Sequence, residues 1–262
     1  MLIRCASLFA FSCIVPTVAA AALSCNATSG HNRVAVLELY TSEGCSSCPP
    51  ADEWFSALPK AGFTGDKLIP IAFHVGYWDY IGWKDRFASP LYSQRQKEAV
   101  KVAGARVVYT PQVFLNGRDF KARGDNESLA NAIRSINQAP ARALIKLNLS
   151  ASEPREWKVS TDIRLGGSSS NADAVAYLGV YENRLLSEVR AGENKGVLLR
   201  HDHVIRDWIG PLPLNSGKLE FMRDVALKID QKAKESGLVA LVQDRRTGDV
   251  LQSLRLPYCE AK

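Results

Sequence analysis

The spacing of apolar residues changes near residue 140, and this change constrains the fold most strongly. From residue 34 to about 138, short apolar runs alternate with helix-like segments. After Pro140, apolar side chains recur at every second position, as at Ile145, Leu147 and Leu149, which is the period of a half-buried strand. The sequence therefore predicts an α/β domain over 31–139 and an antiparallel β-sandwich domain over 141–262.

Within the α/β domain, apolar runs and capping residues predict the order of the elements. Ser89-Pro90 is a helix start, and Asn116-Gly117 is a hairpin turn. The predicted order is a strand at 34–40, a helix at about 50–58, a strand at 68–75, a helix from about 90 to 104, a hairpin strand from 112 and a helix carrying Leu129 and Ile133. Beyond 140 we expect seven or eight short strands.

Composition excludes several classes of protein. The chain has 262 residues, of which 46% are hydrophobic and 23% charged, as in a folded globular protein with a sizeable core. The formal net charge is +6, and no run of Lys or Arg exceeds two residues. We therefore expect no nucleic-acid partner, and no integral membrane segment in the mature chain.

The first 22 residues have the pattern of an export signal. A short segment ending in Arg4 precedes an apolar stretch from about Cys5 to Ala22, which Pro16 interrupts and which ends in alanines. We expect a signal peptide at 1–22, cleaved to give a periplasmic or secreted protein. The alternatives are an N-terminal anchor helix, or a lipoprotein acylated at Cys25.

Six cysteines fall into groups once the signal peptide is set aside. Cys5 and Cys13 leave with it, so Cys25, Cys45, Cys48 and Cys259 remain. Disulfides persist in exported proteins, and chain termini often lie close together. We expect a structural disulfide between Cys25 and Cys259, although free thiols remain an alternative.

The remaining pair forms a Cys-x-x-Cys motif, Cys45-Ser46-Ser47-Cys48, between the first predicted strand and the first predicted helix. The N-terminus of a helix stabilises a thiolate and lowers the pKa of a cysteine placed there. The first cysteine can then attack a disulfide, and the second can resolve the mixed disulfide. A zinc site would need a second pair of ligands at similar spacing, and the sequence has none.

The order of these elements and their motifs resemble a known fold and, more narrowly, a known family. The order strand, helix and strand, with the motif before the first helix and Thr110-Pro111 before the hairpin strand, resembles the thioredoxin fold. More narrowly, Leu39–Asp52 together with Tyr109–Gln112 resembles a bacterial family of secreted thioredoxin-like proteins without an assigned function, domain of unknown function 1223. The resemblance extends to Gly192–Gly196 and His201–Val204 in the β-rich half.

The resemblance implies roles for five residues. Cys45 would be the attacking thiol, Cys48 the resolving thiol and Pro111 a cis-proline. Thr110 would present its backbone to an extended substrate peptide. Glu38 would be the buried acid that handles the proton of the resolving thiol, the alternative being a carboxylate paired with a Lys or Arg.

An insertion at about 76–104, between the motif and Pro111, contains a cluster of aromatic residues. Tyr77, Trp78 and Trp83 lie within it, together with Tyr80 and Phe87. They have two interpretations: packing of the inserted segment onto the sheet, or a wall beside the disulfide that binds a peptide or a small thiol.

Three functions follow from these residues. The preferred one is an exported thiol–disulfide oxidoreductase that acts without a cofactor on a protein or small-molecule thiol or disulfide and works with an unknown redox partner. One alternative is a non-catalytic binding module with a permanent Cys45–Cys48 disulfide. The other is copper binding or delivery through Cys45, Cys48 and His74, because thiolate and imidazole suit that metal.

Overall fold

The computed structural model describes residues 23–153, 155–166 and 173–259. The predicted signal peptide at 1–22 lies outside these residues. The helices are α1 (Pro49–Ala57), α2 (Pro90–Val102) and α3 (Asn126–Gln138), with short 3₁₀ helices at Gly76–Ile81 and Ala233–Glu235. The strands are β1 (Ser24–Thr28), β2 (Ala35–Thr41), β3 (Leu68–His74), β4 (Gln112–Leu115), β5 (Arg118–Asp119), β6 (Ala143–Glu153), β7 (Glu156–Leu165), β8 (Ala174–Glu182), β9 (Leu185–Glu188), β10 (Leu198–His201), β11 (Val204–Pro213), β12 (Lys218–Ala226), β13 (Ser236–Asp244) and β14 (Val250–Pro257).

The N-terminal α/β region is built around the parallel strands β2 and β3, with β4 antiparallel to β2. Every residue of β2 and β3 is buried, because helices cover both faces of this part of the sheet. The helices α1 and α3 pack on one face through Phe55 and Leu129. The other face carries α2, which packs through Tyr92 and Val100.

One sheet runs across the predicted boundary near 139–141. Its eight strands have the order β14-β13-β8-β11-β3-β2-β4-β5. The join is a short parallel pairing of β11 with β3, in which Val204 lies opposite Ala72 and the Ala72 amide donates to the His203 carbonyl at 2.8 Å. The two predicted domains thus share their main-chain hydrogen bonding.

A second sheet completes the β-rich region. It has the antiparallel order β1-β6-β7-β12 and packs against β8, β13 and β14 in one apolar core. The alternation predicted along β6 is present, since Ile145, Leu147 and Leu149 are buried between exposed neighbours. Its edge strand β1 comes from the N-terminal end of the described chain. No helix in the described parts of the chain is long and apolar enough to cross a membrane.

The structure contains the expected disulfide between Cys25 and Cys259. Cys25 lies in β1 of the four-stranded sheet, and Cys259 follows β14, the edge of the eight-stranded sheet. Their Cα atoms are 5.8 Å apart, and 234 positions separate them along the sequence. The bond therefore holds the two sheets together at one edge of the sandwich.

Removing this disulfide is expected to lower stability more than removing Cys45–Cys48. Chain-entropy arguments give about 5 kcal/mol for a loop of this length and about 2 kcal/mol for the short Cys-x-x-Cys loop. Urea unfolding of Cys25→Ala/Cys259→Ala, with Cys45→Ala/Cys48→Ala as the matched variant, measures both losses. Equal losses of unfolding free energy in the two variants would contradict this expectation.

Candidate functional site

The Cys-x-x-Cys motif lies in the loop between β2 and α1, and the two cysteines form a disulfide with a Cα–Cα distance of 5.4 Å. A tight turn holds the loop, in which the Cys45 amide donates to the Ser42 carbonyl at 3.2 Å and the Cys48 amide to the Cys45 carbonyl at 3.1 Å. Cys48 is the N-cap of α1, whose first residues are Pro49 and Pro50. Cys45 is 1% exposed and Cys48 is fully buried.

Thr110 and Pro111 lie beside this disulfide. Their peptide bond is cis, and the Thr110 carbonyl oxygen is 3.8 Å from Cys45 Sγ. Trp78 Nε1 donates to Thr110 Oγ1 at 2.7 Å. The structure thus brings together four of the residues predicted from the sequence: Cys45, Cys48, Thr110 and Pro111.

The aromatic residues of the insertion pack against the same loop. Trp83 Nε1 donates to Glu43 Oε2 at 2.7 Å, and Tyr77 Oη donates to Gln96 Oε1 at 3.2 Å. A Cβ added to Gly44 would lie only 3.1 Å from Trp78 Cβ, so this position favours glycine. Packing therefore accounts for Trp78 and Trp83, while Tyr80 is 81% exposed and stacks on Trp78.

A buried cluster of three carboxylates and two imidazoles adjoins the disulfide loop. Asp85 Oδ2 is 2.7 Å from His74 Nδ1 and accepts from the Glu43 amide at 2.9 Å. His201 lies between two acids, with Nε2 3.3 Å from Glu43 Oε1 and Nδ1 3.6 Å from Asp52 Oδ2. The two imidazole rings meet edge to face, 4.8 Å apart. The cluster joins the loop, α1, β3, the insertion and β10.

The surroundings favour the charged forms of His74, Asp85 and Glu43. They favour the protonated form of Asp52. Burial opposes protonation of His74, but the facing Asp85 outweighs it and raises the pKa of His74. Burial likewise raises the pKa of Asp85 and of Glu43, but their contacts with His74 and His201 outweigh it and leave both pKa values lowered. Burial also raises the pKa of Asp52, and here it prevails over the nearby imidazoles.

The charge count gives the same conclusion. Even with both imidazoles protonated, three ionised carboxylates would leave a net negative charge in a site closed to water, which is costly. Among the described residues, nothing hydrogen-bonds Glu43 Oε1, Asp52 Oδ2 or His74 Nε2. Of the three carboxyl groups, Asp52 is the one whose pKa is raised, because burial favours its protonated form.

A segment of the β-rich region completes the site. Asn194 Nδ2 donates to the carbonyl oxygens of Glu43 at 2.8 Å and of Cys45 at 3.0 Å. The neighbouring Glu193 Oε2 accepts from the Ser46 amide at 3.0 Å. The loop carrying the disulfide is therefore bonded to both halves of the chain.

Comparisons with known proteins place the chain in a family. The model of a family described as a protein of unknown function (DUF1223) matches residues 36–243. The chain belongs to the DUF1223 family. The match spans the disulfide loop, the insertion and the segment carrying Asn194 and His201. No curated protein is significantly similar in sequence to this DUF1223 chain.

Solved structures resemble this DUF1223 chain in fold. A protein from Agrobacterium tumefaciens is 24% identical, with a TM-score of 0.63 over 89% of this chain and 98% of that one. HBP35 of Porphyromonas gingivalis is 14% identical, with a TM-score of 0.67 over 87% of this chain and 76% of that one. At these identities the likeness concerns the fold alone.

The role predicted for Glu38 does not fit its position. Its carboxylate accepts from Arg95 Nε at 3.0 Å and Nη2 at 2.8 Å, and from Tyr40 Oη at 2.7 Å. Alternate residues of a strand point to opposite faces, so Glu38 faces α2, whereas Leu37 and Leu39 face α1, which begins at Cys48. The alternative interpretation, a carboxylate paired with Arg, describes Glu38 in this DUF1223 fold.

The copper alternative draws no support from the arrangement of donors. Within residues 23–153, 155–166 and 173–259, no group of three or more His, Cys, Asp or Glu side chains could hold a metal ion. His74, predicted as the third ligand, has Nδ1 engaged by Asp85. The residues present therefore do not form the proposed site of Cys45, Cys48 and His74.

Sequence reasoning missed six residues of this site: Glu43, Asp52, Asp85, Glu193, Asn194 and His201. The signal they share is their presence in stretches that carried the resemblance to the family or in the insertion. Asp52 lies one helical turn after Cys48, and residues four apart on a helix are neighbours. That spacing could have identified it.

Asp52 is expected to lower stability at neutral pH. Because burial raises its folded-state pKa, its favourable contribution is present below the unfolded-state pKa and is lost as the pH rises. Asp52→Asn should therefore be more stable than wild type near neutrality, by roughly 1 kcal/mol, with a smaller difference in acid. Urea unfolding across this pH range tests it, with exposed Glu53→Gln as control. A difference that grows in acid would contradict the assignment.

Proposed function

We propose that this protein is an exported thiol–disulfide oxidoreductase whose redox couple is Cys45–Cys48. The observation that carries the proposal is the position of the disulfide, at the N-terminus of α1 and beside the cis Thr110–Pro111 bond. Its substrate is a protein or small-molecule thiol or disulfide. Export rests on the signal-like sequence at 1–22 and on the oxidised state of both cysteine pairs.

The chemistry is a two-step exchange. A substrate thiolate attacks the Cys45 sulfur, the Cys45–Cys48 bond breaks, and Cys48 leaves as a thiolate that takes up a proton. A second substrate thiolate then attacks the substrate sulfur of the mixed disulfide and releases Cys45 as a thiolate. Two electrons pass from the substrate dithiol to the protein. The reverse sequence oxidises the protein dithiol, with Cys45 attacking and Cys48 resolving.

The start of α1 supports this role for Cys45 and Cys48. Pro49 and Pro50 have no amide hydrogen, and the amides of Ala51 and Asp52 donate to the Cys48 carbonyl. The helix therefore favours negative charge on sulfur through the positive end of its dipole. Glu43, the acid nearest in sequence to Cys45, has its carboxylate hydrogen-bonded by Trp83 and beside His201. These contacts stabilise the ionised carboxylate and lower the pKa of Glu43.

We assign to Asp52 the role that the resemblance implied for Glu38. It lies one turn beyond Cys48 on the buried side of α1, and it favours its proton. Asp52 can therefore supply a proton to the departing Cys48 thiolate and recover it when Cys48 attacks in the reverse direction. His201 Nδ1 lies 3.6 Å from Asp52 Oδ2.

The burial of both cysteines favours a second candidate, a binding module with a permanent Cys45–Cys48 disulfide. Cys45 is 1% exposed and Cys48 is 0% exposed, so their disulfide is poorly accessible to thiols. The two functions differ in whether the couple equilibrates with glutathione.

Redox equilibration and trapping separate these candidates. Under the proposed function, the couple is reduced in glutathione buffers at potentials above about −300 mV, whereas structural disulfides typically resist reduction down to about that value. In cells, Cys48→Ala should accumulate mixed disulfides through Cys45, whereas the matched Cys45→Ala should accumulate few. A couple that stays oxidised below that potential, with no trapped species, would establish the binding module.

The proton role of Asp52 predicts a pH dependence of exchange. The rate of reduction by dithiothreitol, divided by the thiolate concentration, should fall in wild type as the pH rises and Asp52 loses its proton. Asp52→Asn should lack this fall and be at least about tenfold slower in acid, a modest effect for general acid catalysis. Glu53→Gln should match wild type. Parallel profiles in all three proteins would remove Asp52 from the reaction.

A further inference from the structure

The turn that connects β9 to β10 restrains the disulfide loop although it belongs to the β-rich half. We name this turn, residues 190–197, the strap. It is closed at its base by two main-chain bonds, from the Val189 amide to the Val197 carbonyl at 3.0 Å and from the Gly196 amide to the Val189 carbonyl at 2.8 Å. The strands β9 and β10 pair only with each other among the described strands.

Three hydrogen bonds fasten the strap to consecutive parts of the disulfide loop. Asn194, which is 6% exposed, donates from one amide nitrogen to the carbonyl oxygens of Glu43 and Cys45, at 2.8 and 3.0 Å. Glu193 is exposed and accepts from the Ser46 amide at 3.0 Å. The bonds therefore hold the main chain on both sides of Cys45.

Cys45 cannot exchange with a thiol in this arrangement without a local movement, because it is only 1% exposed. An attacking sulfur must approach the Cys45 sulfur directly. Cys45 Sγ lies 3.3 Å from Ser47 Oγ and 3.8 Å from the Thr110 carbonyl oxygen, and the end of β2 and the start of α1 adjoin it along the chain. Because β9 and β10 pair only with each other among the described strands, the strap can separate from the loop with less disruption than the paired strand β2.

The backbone of the strap is suited to such a movement. Gly192 and Gly196 both have positive φ, +74° and +86°, and they flank Glu193, Asn194 and Lys195. Glycine adopts this region freely, so the two ends of the bonded segment can change conformation with little strain.

We propose that the strap is a gate that sets the rate at which thiols reach Cys45, with Asn194 as its latch. The inference rests on the proposed function and adds a specificity-determining element to it. A closed gate protects the couple from small thiols, while a substrate that displaces Asn194 gains access. Because the gate opens and closes in both redox states, it changes the forward and reverse rates by the same factor and leaves the equilibrium unchanged.

The test is the rate of disulfide reduction by dithiothreitol in Asn194→Ala, followed by alkylation of free thiols and mass measurement. Loss of one or two net hydrogen bonds to buried carbonyls should raise the rate roughly tenfold. The matched control is Lys195→Ala, an exposed neighbour on the strap, which should match wild type. Glu193→Gln provides a second variant and should raise the rate by less, because its bond is exposed.

Equilibrium in glutathione buffers, with circular dichroism to verify folding, makes the outcomes distinguishable. A tenfold rate increase with an unchanged equilibrium constant supports the gate. Equal rates in wild type, Asn194→Ala and Glu193→Gln, with normal equilibration, overturn the gate alone. A rate increase matched by an equal shift in equilibrium also overturns it, because the strap would then stabilise the disulfide itself. A couple that never equilibrates in any variant overturns the proposed function together with the gate.

Discussion

The parallel pairing of β11 with β3 determines where the functional residues of the second region lie. It consists of little more than Val204 opposite Ala72 and the hydrogen bond from Ala72 to His203. The strand β10 ends three residues before Val204, so this register places His201 against His74, the last residue of β3. The strap precedes β10 and is placed by the same register over the loop that follows β2. A few main-chain contacts thus bring two halves of the sequence to one disulfide.

The buried acid–imidazole cluster lowers the stability of the fold beside the Cys45–Cys48 disulfide. Burying three carboxylates with two imidazoles costs free energy that an apolar core of the same volume would not. The surrounding core is well formed, with Leu39, Phe55 and Ala72 packed beside the cluster. Charged groups kept in such a position are typical of functional sites. The position of the cluster, between α1 and the strands of both regions, matches that expectation.

Local signals in the sequence predicted the elements, but not the contacts between distant ones. The buried runs, the Ser89-Pro90 helix start and the Asn116-Gly117 turn, with φ of +49° and +82°, depend on neighbouring residues and were predictable. The strand β11 was not predicted, because it is a central strand with register shifts near Asp207 and Leu212 and lacks a clean alternation.

Of the site residues, Cys45, Cys48, Thr110 and Pro111 carried a recognisable motif. Asn194 and His201 did not, because their role depends on a long-range register that no local pattern encodes. The role that the resemblance implies for Glu38 depends on the face of β2 that its side chain occupies, and Glu38 faces Arg95 on α2.

The connectivity of the sandwich also has a consequence for how the chain acquires its covalent structure. The strand β1 finds its partner β6 more than a hundred residues later, and Cys25 finds Cys259 only at the end of the chain. Cys45 and Cys48 are the next cysteines along the sequence after Cys25, yet they pair with each other across three positions. The Cys25–Cys259 bond joins residues 234 positions apart, so it can close only after β14, the last strand, has been made.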